Sequence, residues 1–143
     1  MGELTIRDMD QGEEFAEWFS ELVLQYDEES GTEAHYDDRF LVLTNEIGDW
    51  IGGAKYYLRG GVAHLQELAV HPEEQREGHA HRLLAAFEQR AAEAGAHLCE
   101  FWTDDLESSA LLGALGWQTV VRREHYVGDR TWVLLERRLD DEE

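Results

Sequence analysis

Apolar residues recur along the first part of the chain with two different periods. Phe15, Trp18, Phe19, Leu22, Val23 and Tyr26 fall three or four apart, which puts them on one face of a helix. Residues 3–7 ahead of them read as a short strand, and the acidic and small residues between Asp27 and Thr32 are expected to break the helix. Three segments rich in branched and aromatic residues follow, 39–44, 50–58 and 62–70, each with the character of a strand. The turn Arg59-Gly60-Gly61 supplies glycines where a tight reversal needs positive φ, so the last two segments should form a hairpin.

The rhythm changes again in the second half. Ala80, Leu83, Leu84, Phe87, Ala91 and Ala94 form one helical stripe that stops at Gly95, and residues 97–103 return to strand character. Asp104 and Asp105 can cap a short helix running to Leu115, which Gly116 terminates. Residues 117–126 and 131–139 then read as an antiparallel pair around Gly128-Asp129. The predicted order is β-α-β-β-β-α-β-α-β-β. A strand, helix, strand unit between residues 62 and 103 requires a parallel crossover. The expected fold is therefore α/β, a mixed sheet of about six to seven strands with central parallel pairing and flanking helices. Ligands in such open sheets sit outside the carboxyl ends of the strands.

A chain of 143 residues with 43% hydrophobic content can bury a core of its own, and neither an internal repeat nor a low-complexity linker divides it. Residues 1–143 are thus expected to form a single domain. No run approaches the roughly 18 apolar residues of a membrane span, and the first ten residues lack the basic-then-apolar pattern of a secretion signal, so a cytoplasmic protein is expected. The single cysteine, Cys99, sits in an apolar run and reads as an inert packed thiol rather than a nucleophile.

Charge changes the expected partners. Thirty-two acidic residues against 12 basic ones give a formal net charge of -20, which disfavours nucleic acid and anionic membranes as partners because both need a concentrated positive field. Lys55 is the only lysine. An acidic, lysine-poor composition suits concentrated salt, where self-repulsion is screened within about 3 Å at 1 M. We read it as halophilic rather than as a lure for a cationic substrate, since the acids lie along the whole chain.

Candidate chemistry concentrates at Val70-His71-Pro72-Glu73-Glu74-Gln75-Arg76-Glu77-Gly78-His79-Ala80, where a strand passes into a helix through a glycine turn. Backbone N–H groups at a helix start have no partner inside the helix and carry the positive end of its dipole, so a phosphate or pyrophosphate fits there. Gly78 and Ala80 keep side chains out of the anion's path. His79 and His81 are two apart on the predicted helix and lack the spacing of a metal pair, so no metal is expected. Neither a Gly-x-Ser-x-Gly elbow nor a Gly-Lys-Ser/Thr phosphate loop is present.

The run Gln-x-x-Gly-x-Ala, the preceding Leu65-Gln66-Glu67-Leu68-Ala69-Val70 and the later Leu111-Leu112-Gly113-Ala114-Leu115-Gly116-Trp117 resemble the GNAT superfamily of N-acetyltransferases, closely over residues 62–120 and loosely elsewhere. The resemblance implies acetyl-CoA as cosubstrate. It implies a pyrophosphate site at Gln75, Arg76, Glu77, Gly78, His79 and Ala80, and a pantetheine arm held like an added strand by Leu68, Ala69 and Val70. Asp105, where the family often has asparagine, and Ser108 complete the implied cofactor site. The family's tyrosine, often the general acid for the departing thiolate, is Leu112 here. A thiol with a pKa near about 8.5 leaves readily, so water can supply that proton.

Acyl transfer needs a neutral amine, so some group must accept a proton. Glu67 and Glu100 stand inside otherwise apolar strands and match positions that hold a catalytic glutamate in some family members. Either can instead point to solvent or pair with an arginine, and His64 on the strand of Glu67 is a further base. The resemblance assigns the oxyanion to the Val70 N–H. The expected function is transfer of an acetyl group to a primary amine by direct attack in a ternary complex, with a non-catalytic acyl-CoA-binding or regulatory module as the alternative. The acceptor is an amine-bearing small molecule or a protein or peptide amine. The exposed final strands leave room for a homodimer. The aromatics Trp18, Phe19, Tyr26, Tyr36, Tyr56 and Tyr57 read as core first and acceptor pocket second.

Overall fold

The computed structural model describes residues 4–9, 12–31, 36–75 and 78–139. Two compact units divide the chain, residues 1–35 and 36–143. In the first, helix α1 spans Glu13–Ser30, with Phe15 stacked on Phe19 at 5.7 Å and tilted against Trp18 at 5.5 Å, the one-turn neighbours that the helical spacing predicts. Asp27, Glu28 and Glu29 do not break it. They are tolerable helix residues, and the stop comes at Gly31, whose left-handed φ of 78° lets its N–H bond the carbonyls of Asp27 and Glu28. The strand expected at residues 3–7 is absent over residues 4–7, which pair with none of the described residues; Glu3 lies outside them. Alternating Leu4 and Ile6 makes a strand only where an edge is available to pair with it.

The second unit carries strands β1 (Asp37–Thr44), β2 (Trp50–Arg59) and β3 (Val62–Val70), helix α2 (His79–Glu93), strand β4 (Leu98–Thr103), helix α3 (Leu106–Ala114), and strands β5 (Gln118–Arg123) and β6 (Trp132–Arg138). They form a six-stranded sheet in the order β1-β2-β3-β4-β6-β5, with β3 and β4 parallel and the other pairs antiparallel. The hairpin turn is Gly60-Gly61, both at positive φ, joining partners Arg59 and Val62.

One face of the sheet is the core. Ala54, Tyr56, Ala63, Leu65, Cys99, Phe101 and Leu135 meet Leu84, Phe87 and Ala91 of α2 and Leu112 of α3. Phe87 is fully buried, edge-on to Tyr56 at 5.1 Å and stacked on Trp117 at 6.4 Å, and burial of a side chain this size contributes roughly 2–3 kcal/mol. Glu88 receives the Trp117 indole N–H at 2.9 Å and pairs with Arg137 at 3.2 Å. Gly116 has a φ of 101°, a backbone conformation that L side chains rarely adopt, which explains the glycine before Trp117. Among the described residues, no helix is long and apolar enough to cross a membrane.

Two features of β3 prepare the site. Tyr56 faces Leu65 and Lys55 faces Glu67, so Gln66 is an extra residue and the strand bulges there. Pairing with β4 covers only Val62–Leu65 against Leu98–Phe101. Beyond the bulge the two parallel strands diverge into a fork.

Candidate active site

The fork opens into a cleft of about 730 Å³ whose lining includes Leu68, Ala69, Val70, Gln75, Gly78, His79, Ala80, Asp105 and Ser108. Nine of the eleven residues expected to hold a cofactor therefore share one cleft. Arg76 and Glu77 lie outside the described residues. Phe101, Leu84, Leu111, Leu112, His81 and Glu107 complete the lining. Of these, sequence reasoning placed Leu84 only in the helical stripe and Leu112 only at a missing tyrosine. Phe101 is next to Glu100 and buried, and its core-facing parity on the strand was the signal for it.

Backbone geometry gives one wall its chemistry. The His71 N–H bonds the Ile51 carbonyl on β2 at 2.7 Å. Successive peptide groups along a strand point to opposite edges, so Val70 and Leu68 turn theirs away from β2, toward the open side of the fork. The Val70 carbonyl there accepts from Gln75 Nε2 at 3.1 Å.

The turn that leads from this edge to α2 is built locally. Pro72 begins a short 3-10 turn at Pro72–Glu74, His71 Nδ1 accepts from the Glu73 N–H at 3.2 Å, and Gln75 returns to extended backbone. Gly78 precedes α2 with a left-handed φ of 82°, and among the described residues no side chain caps the helix start. A Cβ at Gly78 would meet nothing within 4 Å, so open space faces this turn. The first N–H groups of α2, from His79, Ala80 and His81, have no intrahelical acceptor by geometry and border the cleft. The His79 imidazole is mostly buried, with Nε2 4.0 Å from Glu74 Oε1.

On the opposite wall Asp105 caps α3. Its Oδ1 accepts from the Glu107 N–H at 3.0 Å and its Oδ2 from the Ser108 hydroxyl at 2.9 Å. Leu112 is buried in the core as well as touching the cleft.

The catalytic candidates separate. Glu67 is exposed, because the bulge turns both Gln66 and Glu67 out of the apolar setting that their strand suggested. Glu100 is half-buried, with Oε1 3.1 Å from His64 Nδ1. Neither carboxylate lines the cleft on the core side. Tyr57 stacks on His64 at 5.0 Å, and burial, followed by the neighbouring Tyr36 and Glu100, pushes its phenol pKa up, so it stays neutral. Tyr56 is core, whereas Tyr57 and Tyr36 meet edge-on at 5.0 Å. Burial pushes the Cys99 thiol up to about 12, consistent with inert packing. Among the described residues, no group of three or more His, Cys, Asp or Glu is arranged to hold a metal.

The structure is similar to an acetyltransferase from Bacillus cereus ATCC 14579, with a TM-score of 0.76 and 20% identity over 94% of this chain and 98% of that one. It is similar to a GNAT family acetyltransferase from Elizabethkingia anophelis solved with acetyl-CoA bound, with a TM-score of 0.67 and 16% identity over 83% of this chain and 82% of that one. It is also similar to the ribosomal-protein-S18-alanine N-acetyltransferase from Escherichia coli, with a TM-score of 0.65 and 21% identity over 73% and 72% of the two chains. At these identities the likeness is one of fold. No curated protein matches the sequence. The family model of the acetyltransferase (GNAT) family matches residues 4–117, most of the chain and both sides of the cleft's glycine turn, and this chain belongs to that family.

Proposed function

We propose that this chain moves an acetyl group from acetyl-CoA to a primary amine by direct attack in a ternary complex. The observation that carries the reading is the forked edge of β3, where the peptide groups of Leu68 and Val70 turn away from β2, facing the start of α2 across one cleft. The cosubstrate suits both parts. Its pantetheine amides can bond to the strand edge as an added strand would. Its pyrophosphate suits the N–H groups of His79, Ala80 and His81, and Gln75, Arg76 and Glu77 stand just before them in the sequence. The Val70 N–H serves the oxyanion, where a fixed donor lowers the barrier more than it binds the ground state. Asp105 and Ser108 act by holding the start of α3 in the cleft wall.

The amine must lose a proton before it attacks, and Glu67 and Glu100 are the carboxylates on the forked strands. With Leu112 in the tyrosine position, the departing thiolate takes its proton from water. Residues 1–143 act as one acetyltransferase domain in the cytoplasm, alone or as a homodimer, on a small-molecule or peptide amine and without nucleic acid or membrane. The acidic surface suits a halophilic setting. One observation favours a second reading, a non-catalytic acyl-CoA-binding module: a buried leucine stands where the family often has its acid.

Thiol release from acetyl-CoA in about 1 M KCl, with a peptide N-terminus, a lysine peptide, spermidine and an amino acid as acceptors, tests these readings. Turnover with at least one amine is expected. Protection against heat without turnover identifies the binding module, and neither effect sinks both. Affinity for acetyl-CoA should rise with salt, because at a Debye length of about 30 Å in 0.01 M salt the net charge of -20 repels the ligand and at about 3 Å it no longer does.

A further inference from the structure

We propose that His64 is the group that accepts the amine's proton and that Glu100 is its positioning residue, an inference that rests on the acyl transfer proposed above. Tyr57, His64, Glu100 and Glu136 are successive register partners on β2, β3, β4 and β6. Their strand neighbours Ala63, Leu65, Cys99 and Phe101 face the core, so strand alternation puts this row on the other face of the sheet. The row is the rung immediately beneath the last paired rung, Leu65 with Phe101, above which the fork opens. Phe101 lines the cleft from the core side. The His64–Glu100 pair thus stands one rung below the fork, on the face of the sheet opposite the core.

The imidazole is held at two points. Nδ1 lies 3.1 Å from Glu100 Oε1, and the ring stacks on Tyr57 with centroids 5.0 Å apart and planes at 20°. A carboxylate can only accept, so in the neutral ring the proton sits on Nδ1 and the lone pair on Nε2. Nε2 makes no hydrogen bond to any described residue. The side chains of His64 and Glu100 are 18% and 29% exposed, shielded enough to stay ordered and open enough to be reached. Glu67, by contrast, is exposed and has no such partner.

The other groups on this surface are compatible with the role. Tyr57 stays neutral, Arg59 stands over the Tyr36 ring at 4.7 Å, Asp38 lies beside Tyr57 in the register of β1, and Glu136 pairs with Arg138 at 3.8 Å. In the reaction, the acceptor's ammonium passes one proton to Nε2, directly or through one water. The freed lone pair attacks the thioester carbonyl carbon, the C–N bond forms, and the C–S bond breaks. A water passes the second proton that the nitrogen sheds on to the thiolate, and His64 returns the first to solvent. The sum is one amide, one free thiol and one proton.

The test compares the parent with His64→Ala, Glu100→Gln and the double variant, using acetyl-CoA with the peptide, lysine-peptide and spermidine acceptors. At neutral pH, His64→Ala should lower kcat by about 100-fold or more with KM for acetyl-CoA unchanged. The deficit should close toward about pH 10, where the acceptor arrives neutral, and added imidazole should restore part of the rate. Glu100→Gln should lower kcat by about tenfold alone and have no further effect when His64 is already alanine, a coupling that a merely structural carboxylate would not show. If circular dichroism shows that His64→Ala loses its fold, His64→Gln, which keeps a donor for Glu100, carries the same comparison. Parent-like turnover of the His64 variant at neutral pH, or additive losses in the double variant, overturns the assignment while leaving the acyl transfer standing. No thiol release by the parent with any of these amines overturns the transfer itself.

Discussion

Gln75 Nε2 donates to the Val70 carbonyl at 3.1 Å, tying the last residue of the forked strand to the turn that leads into α2. The strand edge and the helix start, the two parts of the proposed acetyl-CoA site, are thereby held at one spacing. We propose that the Gln75 side chain positions these two parts, beside the pyrophosphate contact that the resemblance implies for this residue's turn.

The bond is exposed, so removing it should disturb the site more than the fold. Gln75→Ala is expected to weaken acetyl-CoA by about 5-fold, the equivalent of one net hydrogen bond of roughly 1 kcal/mol. The thermal midpoint should move by no more than a few degrees. Titration calorimetry beside a melting curve makes the comparison. Unchanged affinity would show that the two parts are held by other contacts.

Gly78 should accept no branched side chain without loss of acetyl-CoA. Its φ of 82° strains any L-residue by about 1–2 kcal/mol, yet a Cβ would meet nothing within 4 Å in the protein itself. Gly78→Ala should therefore fold with a modestly lower melting point. Gly78→Val should fold as well but lose acetyl-CoA by about 10-fold or more, since the added atoms lie where the pyrophosphate is expected. Normal binding by Gly78→Val would move that site elsewhere.

Cys99 makes stability fall with pH. Its thiol is completely buried and pushed up to about 12, mainly by burial, with Glu88 adding and Arg137 subtracting. The unfolded chain loses this proton near about pH 9, while the folded chain keeps it up to about 12. The folded state binds more protons in that window, so stability is full below about pH 9 and declines as pH rises above it. The raised Tyr57 acts in the same direction at higher pH. Melting curves at about pH 8 and about pH 10 should converge in Cys99→Ala relative to the parent, and the native thiol should not react with a disulfide reagent until the chain unfolds. Rapid reaction in the native state would contradict the packing.

Much of the architecture was legible because local chemistry and tertiary demand agree. The stripe Leu83, Leu84, Phe87 and Ala91 is the buried face of α2, Gly60-Gly61 is the hairpin turn, and Asp105 is the cap of α3. Agreement failed where an acid run was weighed too heavily: Asp27–Ser30 extends a helix because a single left-handed glycine, not polarity, ends it. It failed again at residues 4–7, whose alternation promises a strand but cannot by itself supply a partner edge.

The sequence by itself determined the class of fold and the glycine turn at Gly78, since both follow from local pattern, and the family resemblance picked out nine residues that line the cleft. Only the tertiary structure separated the two candidate carboxylates. Glu67 and Glu100 look alike in sequence, each an acid within a β-strand. A single extra residue at Gln66 turns one out to solvent, and the parallel register of β3 with β4 brings the other to His64, 36 positions away. Register and bulge are properties of paired strands, and they are set by the hydrogen-bond ladder between segments rather than by either segment alone.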